Sequence, residues 1–342
     1  MLINRRLFVA RFALLPITVN AFAESRVDSF FFDVARPGYF KRIDEILRKG
    51  KIPIIDIESS YDPTSVNLPA LIKDMDLADI AQICLSADYR GSFSSSGAAS
   101  FRAYQGYPSH IIPTGIAGGA GLWSDFPERF QDENEKNISK FNYPLMGEFE
   151  FNHYPSPRQL NRNNSQKRYV DFPINSEIAH RIFRYSAKTA LPFQIHYEIE
   201  DSLLKPLEEM LIQYPSAKVI WCHMAQIRYQ SRSTIYSPQF IANWLEKYPN
   251  LYLDTAFGGK NSFYQASGEY HSRFWQQQSD WIDVIEKYPY RFLAALDLGA
   301  DRMNSLVRRA ALLREFIDLL PIKTQHIVAY KAAWKLVFNE DL

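Results

Sequence analysis

Residues 192–223 read PFQIHYEIEDSLLKPLEEMLIQYPSAKVIWCH, and this stretch decides the fold class. It contains an apolar run at Pro192–Tyr197, a helical pattern at Ser202–Gln213 and a second apolar run at Lys218–Cys222. Short apolar runs that alternate with longer helical patterns predict parallel strands joined by right-handed helical crossovers. The stretch therefore predicts one strand–helix–strand unit of a parallel sheet.

The same alternation continues along most of the chain. Strand-like runs occur at Ile52–Ile57, Ile80–Ser86, His110–Thr114, Pro144–Phe151, Pro192–Tyr197, Lys218–Cys222, Leu251–Thr255 and Arg291–Leu296. Helical patterns lie between them at Leu68–Ala78, Ile174–Thr189, Ser202–Gln213, Pro238–Lys247 and Asn304–Leu319. Such units, repeated over about 290 residues, are typical of an α/β fold of the (β/α)8 or TIM barrel type, which is the predicted fold. A doubly wound open sheet is the alternative, but the glycine-rich turn that usually follows its first strand is missing here.

Two stretches that follow strands are predicted to be loops. Residues 115–140 begin with the glycine cluster Gly115–Gly121, whose spacing fits neither a dinucleotide-binding nor a P-loop motif, so a flexible lid is predicted. Residues 152–172 carry several Pro, Asn and Arg residues. Both would lie at the carboxyl ends of strands, where barrel active sites are built. Together with residues 257–280 they would set the specificity, so the substrate cannot be read from the barrel pattern.

The composition excludes several classes of protein. The chain has 342 residues, is 46% hydrophobic and carries 39 basic and 38 acidic side chains, for a net charge of +1. A near-neutral chain without a long basic run is a poor candidate for nucleic-acid binding or for electrostatic attachment to membranes. Two cysteines exclude a disulfide-built scaffold and a cysteine-based structural zinc site. A small-molecule substrate is the expected partner.

The N-terminus has the features of a secretory signal. Arg5, Arg6 and Arg11 are the only charges before Glu24, and Ala21-Phe22-Ala23 places small residues where a signal peptidase cuts. The arginine pair resembles a twin-arginine export signal. An ordinary apolar helix is the alternative, and the apolar run is too short to span a membrane.

We therefore expect residues 1–23 to be a signal peptide that is removed, and the mature protein to be periplasmic or secreted without stable membrane insertion. A helical extension is expected at 24–50, followed by the barrel at 51–338.

Polar side chains, nearly all of them acidic or imidazole, gather at the carboxyl ends of the predicted strands. They are Asp56, Glu58, Ser60, Glu148, Glu150, His196, His223, Asp254 and Asp297. Burial of one such group without a partner costs several kcal/mol, so a cluster of them calls for a metal, a proton relay or a polar ligand.

Imidazole and carboxylate are ligands that Zn, Mn and Fe accept. The predicted metal ligands are Glu58, Glu148, Glu150, His196, His223 and Asp297. Such a metal would lower the pKa of a bound water to about 7. Asp297, as general base, and His223 are the predicted catalytic residues.

The motifs at these strand ends resemble the amidohydrolase superfamily, in the branch related to aminocarboxymuconate-semialdehyde decarboxylase. They are Pro53–Asp56, Met146–Glu148, Pro192–His196, Tyr214–His223, Asn250–Asp254, Ala294–Asp297 and Ala329–Phe338. The resemblance covers roughly residues 50–338, and Tyr214–His223 is its most specific part. It implies a TIM barrel with a catalytic divalent metal, in which the strand-eight aspartate handles the proton of the metal-bound water.

The first strand departs from the family pattern. Where the family usually has His-X-His, this chain has Glu58 and Ser60, so two nitrogen ligands are missing. The remaining set is rich in oxygen, which favours Mn or Fe, or a weaker zinc site. The absence of a metal is the alternative.

Further polar residues on the same loops are predicted to bind substrate. They are His153, Arg158, Tyr197 and Arg228. An arginine at such a position can hold a carboxylate or phosphate with two hydrogen bonds.

Three functions remain open. The first is an exported metal-dependent hydrolase that cleaves a C–N, ester or lactone bond. The second is a metal-dependent decarboxylase of a small organic acid, and the third is a non-catalytic binding protein on a barrel that has lost its metal.

Overall fold

Two parallel sheets form the centre of the structure. The computed structural model describes residues 29–88, 96–118, 122–155, 169–260, 263–264, 269–270 and 273–342. The strands are β1 Ile54–Tyr61, β2 Ile80–Ala87, β3 Ile111–Pro113, β4 Met146–Glu150, β5 Asn152–His153, β6 Val170–Asp171, β7 Pro192–His196, β8 Lys218–Trp221, β9 Leu251–Asp254, β10 Phe263–Tyr264, β11 Glu269–Tyr270 and β12 Phe292–Leu293.

Helices alternate with these strands. They are α1 Phe32–Arg48, α2 Leu68–Leu77, α3 Ala99–Gly106, α4 Leu122–Asp125, α5 Pro127–Phe141, α6 Glu177–Thr189, α7 Asp201–Gln213, α8 Pro238–Lys247, α9 Arg273–Gln276, α10 Gln278–Lys287, α11 Leu306–Ile317, α12 Ile322–His326 and α13 Ala332–Phe338.

The sheet order follows the order of the chain. One sheet is β1-β2-β3 and the other is β12-β9-β8-β7-β4, and all of their pairings are parallel. Two short antiparallel pairs, β5 with β6 and β10 with β11, lie outside them. Each predicted strand segment contains one strand of the two parallel sheets, which confirms the predicted α/β class with parallel sheets.

Backbone hydrogen bonds join the two sheets at both of their edges. At one edge, Gly118 N donates to Glu148 O at 2.7 Å and Glu150 N donates to Gly118 O at 2.8 Å. At the other edge, Asp297 N donates to Glu58 O at 3.1 Å and Ser60 N donates to Leu298 O at 2.7 Å. The carboxyl ends of β1, β4 and the segment after β12 are thus fixed relative to one another.

The edge between β3 and β4 depends on glycine. A Cβ atom on Gly147 would lie 2.9 Å from Gly115 O and 3.1 Å from Ala117 N. Because backbone atoms cannot yield as a flexible side chain can, only glycine permits this approach.

Residues 115–140 were predicted to be a loop, and this prediction is wrong for their second half. The helix α5 spans Pro127–Phe141, with proline in its first turn and a buried face that includes Phe130 and Ile138. Two asparagines on that buried face interrupt the apolar period, and one of them, Asn134, accepts a hydrogen bond from Ile116 N at 3.2 Å. These polar residues on the packed face hid the helical period, so the sequence predicted a loop. The prediction of a lid was based on the glycine cluster, and residues 119–121 of that cluster lie outside the described residues.

The other predicted loops also contain regular structure at their ends. Within 152–172, β5 pairs with β6, and residues 156–168 lie outside the described residues. Within 257–280, the structure shows β10, β11, α9 and the start of α10.

The N-terminal helix α1 packs against the rest of the protein through an aromatic cluster. Phe32 stacks on Phe338 with ring centroids 4.1 Å apart, and the hydroxyl of the buried Tyr39 donates to Ile111 O at 2.6 Å. The predicted signal peptide, residues 1–23, lies outside the described residues. Among the described helices, none combines the length and the apolar character that crossing a membrane requires. Cys84 and Cys222 are both buried and unpaired.

Candidate metal centre

A single carboxylate oxygen lies between two imidazoles. Glu148 Oε1 is 3.0 Å from His196 Nδ1 and 3.5 Å from His223 Nε2, and the two imidazole centroids are 5.0 Å apart. The register of β4 with β7 pairs Glu148 with Gln194 and Glu150 with His196, which brings these strand ends together. Both histidines are almost fully buried.

A left-handed turn directs His223 into this centre. After β8 the chain has positive φ at four successive residues, namely 59° at His223, 50° at Met224, 55° at Ala225 and 59° at Gln226. This conformation is costly for residues other than glycine and needs support from its surroundings. Asp254 supplies part of that support, because its Oδ1 accepts a hydrogen bond from His223 N at 2.9 Å.

His223 also belongs to a second group of possible ligands on the other side of its ring. In the described part of the chain, one group contains Glu148, His196 and His223, and the other contains Glu58, His223 and Asp254. Within each group the ligand atoms all lie within 4.8 Å of one another. His223 therefore connects carboxylates from β1, β4 and β9.

Three atoms of the second group are buried without any hydrogen-bond partner. They are Glu58 Oε2, His223 Nδ1 and Asp254 Oδ2. A buried polar atom without a partner costs about 1–3 kcal/mol, and proteins rarely leave three of them in one cluster. A divalent cation accepts the lone pairs of carboxylate and imidazole, so this donor set fits such an ion.

The electrostatics of the centre lead to the same conclusion. Burial, followed by the negative charges of Asp297 and Glu148, raises the pKa of Glu58 well above its usual value. Burial also raises the pKa of Asp254, against the influence of His223. Burial opposes ionisation of Glu148 too, but the hydrogen bonds from His196 and His223 outweigh it and hold its pKa well below the usual value. The centre thus concentrates more acidic groups than its own histidines neutralise.

Asp297, the predicted general base, is held by an arginine. Arg302 donates from Nη2 to Asp297 Oδ1 at 2.9 Å and from Nη1 to Oδ2 at 3.0 Å, while Arg309 Nη1 is 3.8 Å from Oδ2. Burial raises the pKa of Asp297, but the charges of Arg302, His223 and Arg309 outweigh it and lower the pKa below its ordinary value. Among the described residues Asp297 is in neither ligand group, and its carboxylate is paired with Arg302.

The predicted residues around His196 have different surroundings. His153 packs its ring on His196 with centroids 4.5 Å apart, and Arg228 Nη2 lies 3.3 Å from His196 Nε2. The buried hydroxyl of Tyr197 donates to Leu203 O at 2.9 Å, so this side chain is used in strand–helix packing. Arg158 lies outside the described residues.

Glu150, like Asp297, is a predicted metal ligand that stands apart from both groups. It is buried, but it contributes no atom to the ligand groups found among the described residues. The backbone oxygen of Glu150 accepts a hydrogen bond from Trp123 Nε1 at 2.8 Å.

Three residues outside the predicted metal-ligand and catalytic sets belong to the site. Asp254 ends β9, Arg302 pairs with Asp297, and Glu198 places Oε1 3.3 Å from His196 Nε2. Asp254 and Glu198 carried a sequence signal, since each is an acidic residue at or just after a strand end. Arg302 carried none, because its contact depends on the 3₁₀ turn that follows Asp297.

Comparison with known proteins finds similar solved structures only. No family model and no curated protein matches the chain. A crystal structure of an amidohydrolase II aligns over 83% of this chain and 99% of its own, with a TM-score of 0.51 and 14% identity. The chain shares its fold with that amidohydrolase.

Two further solved structures align with lower scores. A zinc-bound amidohydrolase from Burkholderia multivorans aligns over 83% of this chain and 99% of its own, with a TM-score of 0.46 and 11% identity. Amidohydrolase 2 from Bifidobacterium longum subsp. infantis aligns over 85% of this chain and 100% of its own, with a TM-score of 0.45 and 12% identity.

Proposed function

We propose that this protein is a metal-dependent hydrolase of the amidohydrolase type, built on an eight-stranded barrel whose two sheets meet at the edges described above. The observation that carries the proposal is the cluster of Glu58, Glu148, His196, His223 and Asp254, in which Glu58 Oε2 and His223 Nδ1 are buried without partners. The shared fold with a solved amidohydrolase supports the barrel.

The donor set defines the kind of metal. Each of the two groups would hold a divalent ion through three donors. In the group of Glu58, His223 and Asp254, Mn or Fe is favoured over Zn because oxygen donors outnumber nitrogen donors. When bound, such an ion lowers the pKa of a water ligand and polarises the carbonyl of a C–N, ester or lactone substrate.

The residues of the chain supply the remaining parts of the mechanism. His223 is held in position by the left-handed turn and by Asp254. Its Nε2 lies 3.5 Å from Glu148 Oε1 and its Nδ1 lies 3.8 Å from Asp254 Oδ1. Asp297, whose pKa lies below its ordinary value, is at the same rim, where it would accept the proton of the attacking water as general base. Each of its oxygens accepts one hydrogen bond from Arg302 and keeps a second lone pair for that proton.

A non-catalytic binding protein is the second candidate, and one observation favours it. Arg302 pairs with both oxygens of Asp297 and helps to lower its pKa below the ordinary value, which makes this carboxylate a weak base for the proton of a water. A chain that binds metal but turns over no ester, lactone or amide would fit this candidate.

We also propose that the chain is exported through the signal in residues 1–23. The support is the sequence of that segment, with its arginine pair and the small residues at Ala21 and Ala23.

The test is the metal content of protein purified without chelator. We expect about one equivalent of transition metal, lost in His196→Ala and His223→Ala. His180→Ala is the matched control. His180 lies on α6, contacts Tyr214 and belongs to neither ligand group. Hydrolysis of esters, lactones and amides by the loaded protein would then be screened. Absence of metal from every preparation, even after addition of Mn, Fe or Zn, would overturn the hydrolase proposal.

A further inference from the structure

A cavity lies directly beside Asp297, between the ends of β9 and β12 and the helix α11. Its volume is about 120 Å³, and its wall includes Asp297, Arg308, Arg309 and Phe257. Arg308 is exposed, so the cavity borders the protein surface at that side chain. The ligand groups of the metal centre contribute none of the residues that line it.

The polar part of this wall is positively charged. Arg309 is half-buried, and its Nη1 donates to Leu296 O at 2.7 Å, but its Nε is buried without an acceptor. Asp297 is the acidic residue among those that line the cavity, and Arg302 already pairs with it. A guanidinium with a buried donor left over is suited to a second anion.

The remainder of the wall is apolar and limits the size of the occupant. Phe257 and Phe316 are buried, and Leu312 and Leu313 complete this side of the cavity. An apolar cavity of about 150 Å³ holds a benzene molecule, so this one accommodates a fragment of a few carbon atoms. A charged end beside a short apolar wall matches a small aliphatic carboxylate.

We propose that this cavity binds the carboxylate end of an anionic substrate, with Arg309 as its charged partner and Phe257, Leu312 and Phe316 as the wall for the adjoining carbon chain. The inference rests on the proposed hydrolase function for its link to catalysis, since it names the substrate class of that site. Arg309 would place the carboxylate next to Asp297, so the reacting bond would lie on the side of Asp297 that faces the metal ligands.

The first test measures binding without any reaction. Butanoate and its neutral isostere butanamide are titrated into metal-free protein by NMR or calorimetry, because a bound metal would itself attract a carboxylate. We expect butanoate to bind at least tenfold more tightly than butanamide, and Arg309→Gln to remove this preference. Arg184→Gln, on the exposed face of α6, is the matched control and should retain it.

A second variant guards against a structural effect of losing Arg309. Ala256→Leu fills the cavity and keeps every charge, so it should weaken butanoate binding while circular dichroism and the melting temperature show a folded protein. Equal binding of butanoate and butanamide to the original protein, or unchanged butanoate binding in both variants, would overturn the inference.

The second test separates the subsite from the proposed function. Monomethyl succinate and methyl butanoate are compared as substrates of the metal-loaded protein. A preference of at least tenfold for the charged ester, lost in Arg309→Gln, supports the inference. Hydrolysis of both esters at equal rates would keep the proposed function and overturn the subsite. Butanoate binding that depends on Arg309, without hydrolysis of any ester, would keep the subsite and count against the hydrolase.

Discussion

Arg302 holds both carboxylate oxygens of Asp297, at 2.9 Å and 3.0 Å, at the point where the segment after β12 meets the metal ligands. The contact is possible because residue 299 is glycine: a Cβ there would lie 2.8 Å from Arg302 Nη2. Asp297 itself has a φ of 48°, in the left-handed region, which aspartate adopts more readily than most residues other than glycine. The ion pair thus depends on the backbone conformation between residues 297 and 302.

Removal of Arg302 should change the pH dependence of the reaction. The charge of Arg302 lowers the pKa of Asp297, so Arg302→Gln should raise that pKa by about one unit or more. If Asp297 is the general base, the acidic limb of the kcat/KM profile should move to higher pH by the same amount. Arg302→Lys keeps the charge and should shift the limb less. An unchanged limb in Arg302→Gln would show that Asp297 is not the group that titrates.

Gly147 should be the least replaceable glycine of the sheet edge. Gly147→Ala would place a Cβ 2.9 Å from Gly115 O, so the two backbones must separate, at a cost of about 1–3 kcal/mol. Gly106→Ala is the matched control, because a Cβ at Gly106, the last residue of α3, meets no atom within 4 Å. Urea unfolding would show a lower midpoint for the first variant and little change for the second. Equal midpoints would contradict the steric account of this edge.

Asp56 should make the stability of the metal-free protein fall as the pH rises. Burial raises its pKa from 3.8 to about 7, against the hydrogen bonds that it accepts from Ser59, Leu296 and Glu58. A carboxyl whose pKa is higher in the folded than in the unfolded protein binds its proton more tightly when folded. Its stabilising contribution is therefore complete below the unfolded value and is lost as the pH rises towards about 7, at no more than about 1.4 kcal/mol per pH unit.

Asp56→Asn removes this titration and keeps an oxygen for the backbone N–H donors. The free energy of unfolding is measured in urea at about pH 5 and at about pH 7 for both proteins. The original protein should lose up to about 3 kcal/mol more than Asp56→Asn between these two pH values. The same difference in both proteins would mean that Asp56 is ionised throughout this range.

The N-terminus offers a test that needs no activity. Protein recovered from an exporting host should begin at Glu24 by intact mass, because Ala21 and Ala23 form the expected cleavage site. Replacement of Arg5 and Arg6 together by lysine should block export if the route is the twin-arginine one, whereas Arg11→Lys should not. An uncleaved chain in the cytoplasm of such a host would refute the prediction of export.

The parallel strands were predictable because each is a short, continuous apolar run between polar segments. His196, the last residue of β7, was predictable for the same reason. The sequence placed His223 just after a strand, but the direction of its side chain depends on the left-handed turn. The burial of Asn134 in α5 was not, because a polar residue on a packed helix face breaks the period by which helices are recognised.

The contacts between side chains inside the site could not be predicted from the sequence either. Glu148 and Glu150 share a strand face by alternation, yet only Glu148 reaches the histidines among the described residues. The left-handed turn at residues 223–226 contains no glycine, so the sequence did not indicate it. Such conformations are held by distant contacts, here by Asp254, and these are fixed only when the strands have assembled.

Two of the glutamates that were predicted as metal ligands give the sharpest test of the metal centre. Glu58 belongs to a ligand group and has a buried oxygen without a partner, whereas Glu150 is buried but belongs to neither group among the residues described. Glu58→Gln should therefore weaken metal binding at least tenfold, measured by competition with a chromogenic chelator. Glu150→Gln, its matched control, should change the affinity less than about twofold, because its carboxylate is not a donor in either group. The reverse pattern, with Glu150 required and Glu58 dispensable, would show that the metal lies nearer to β4 than to β1. Equal and small effects would exclude both residues as ligands.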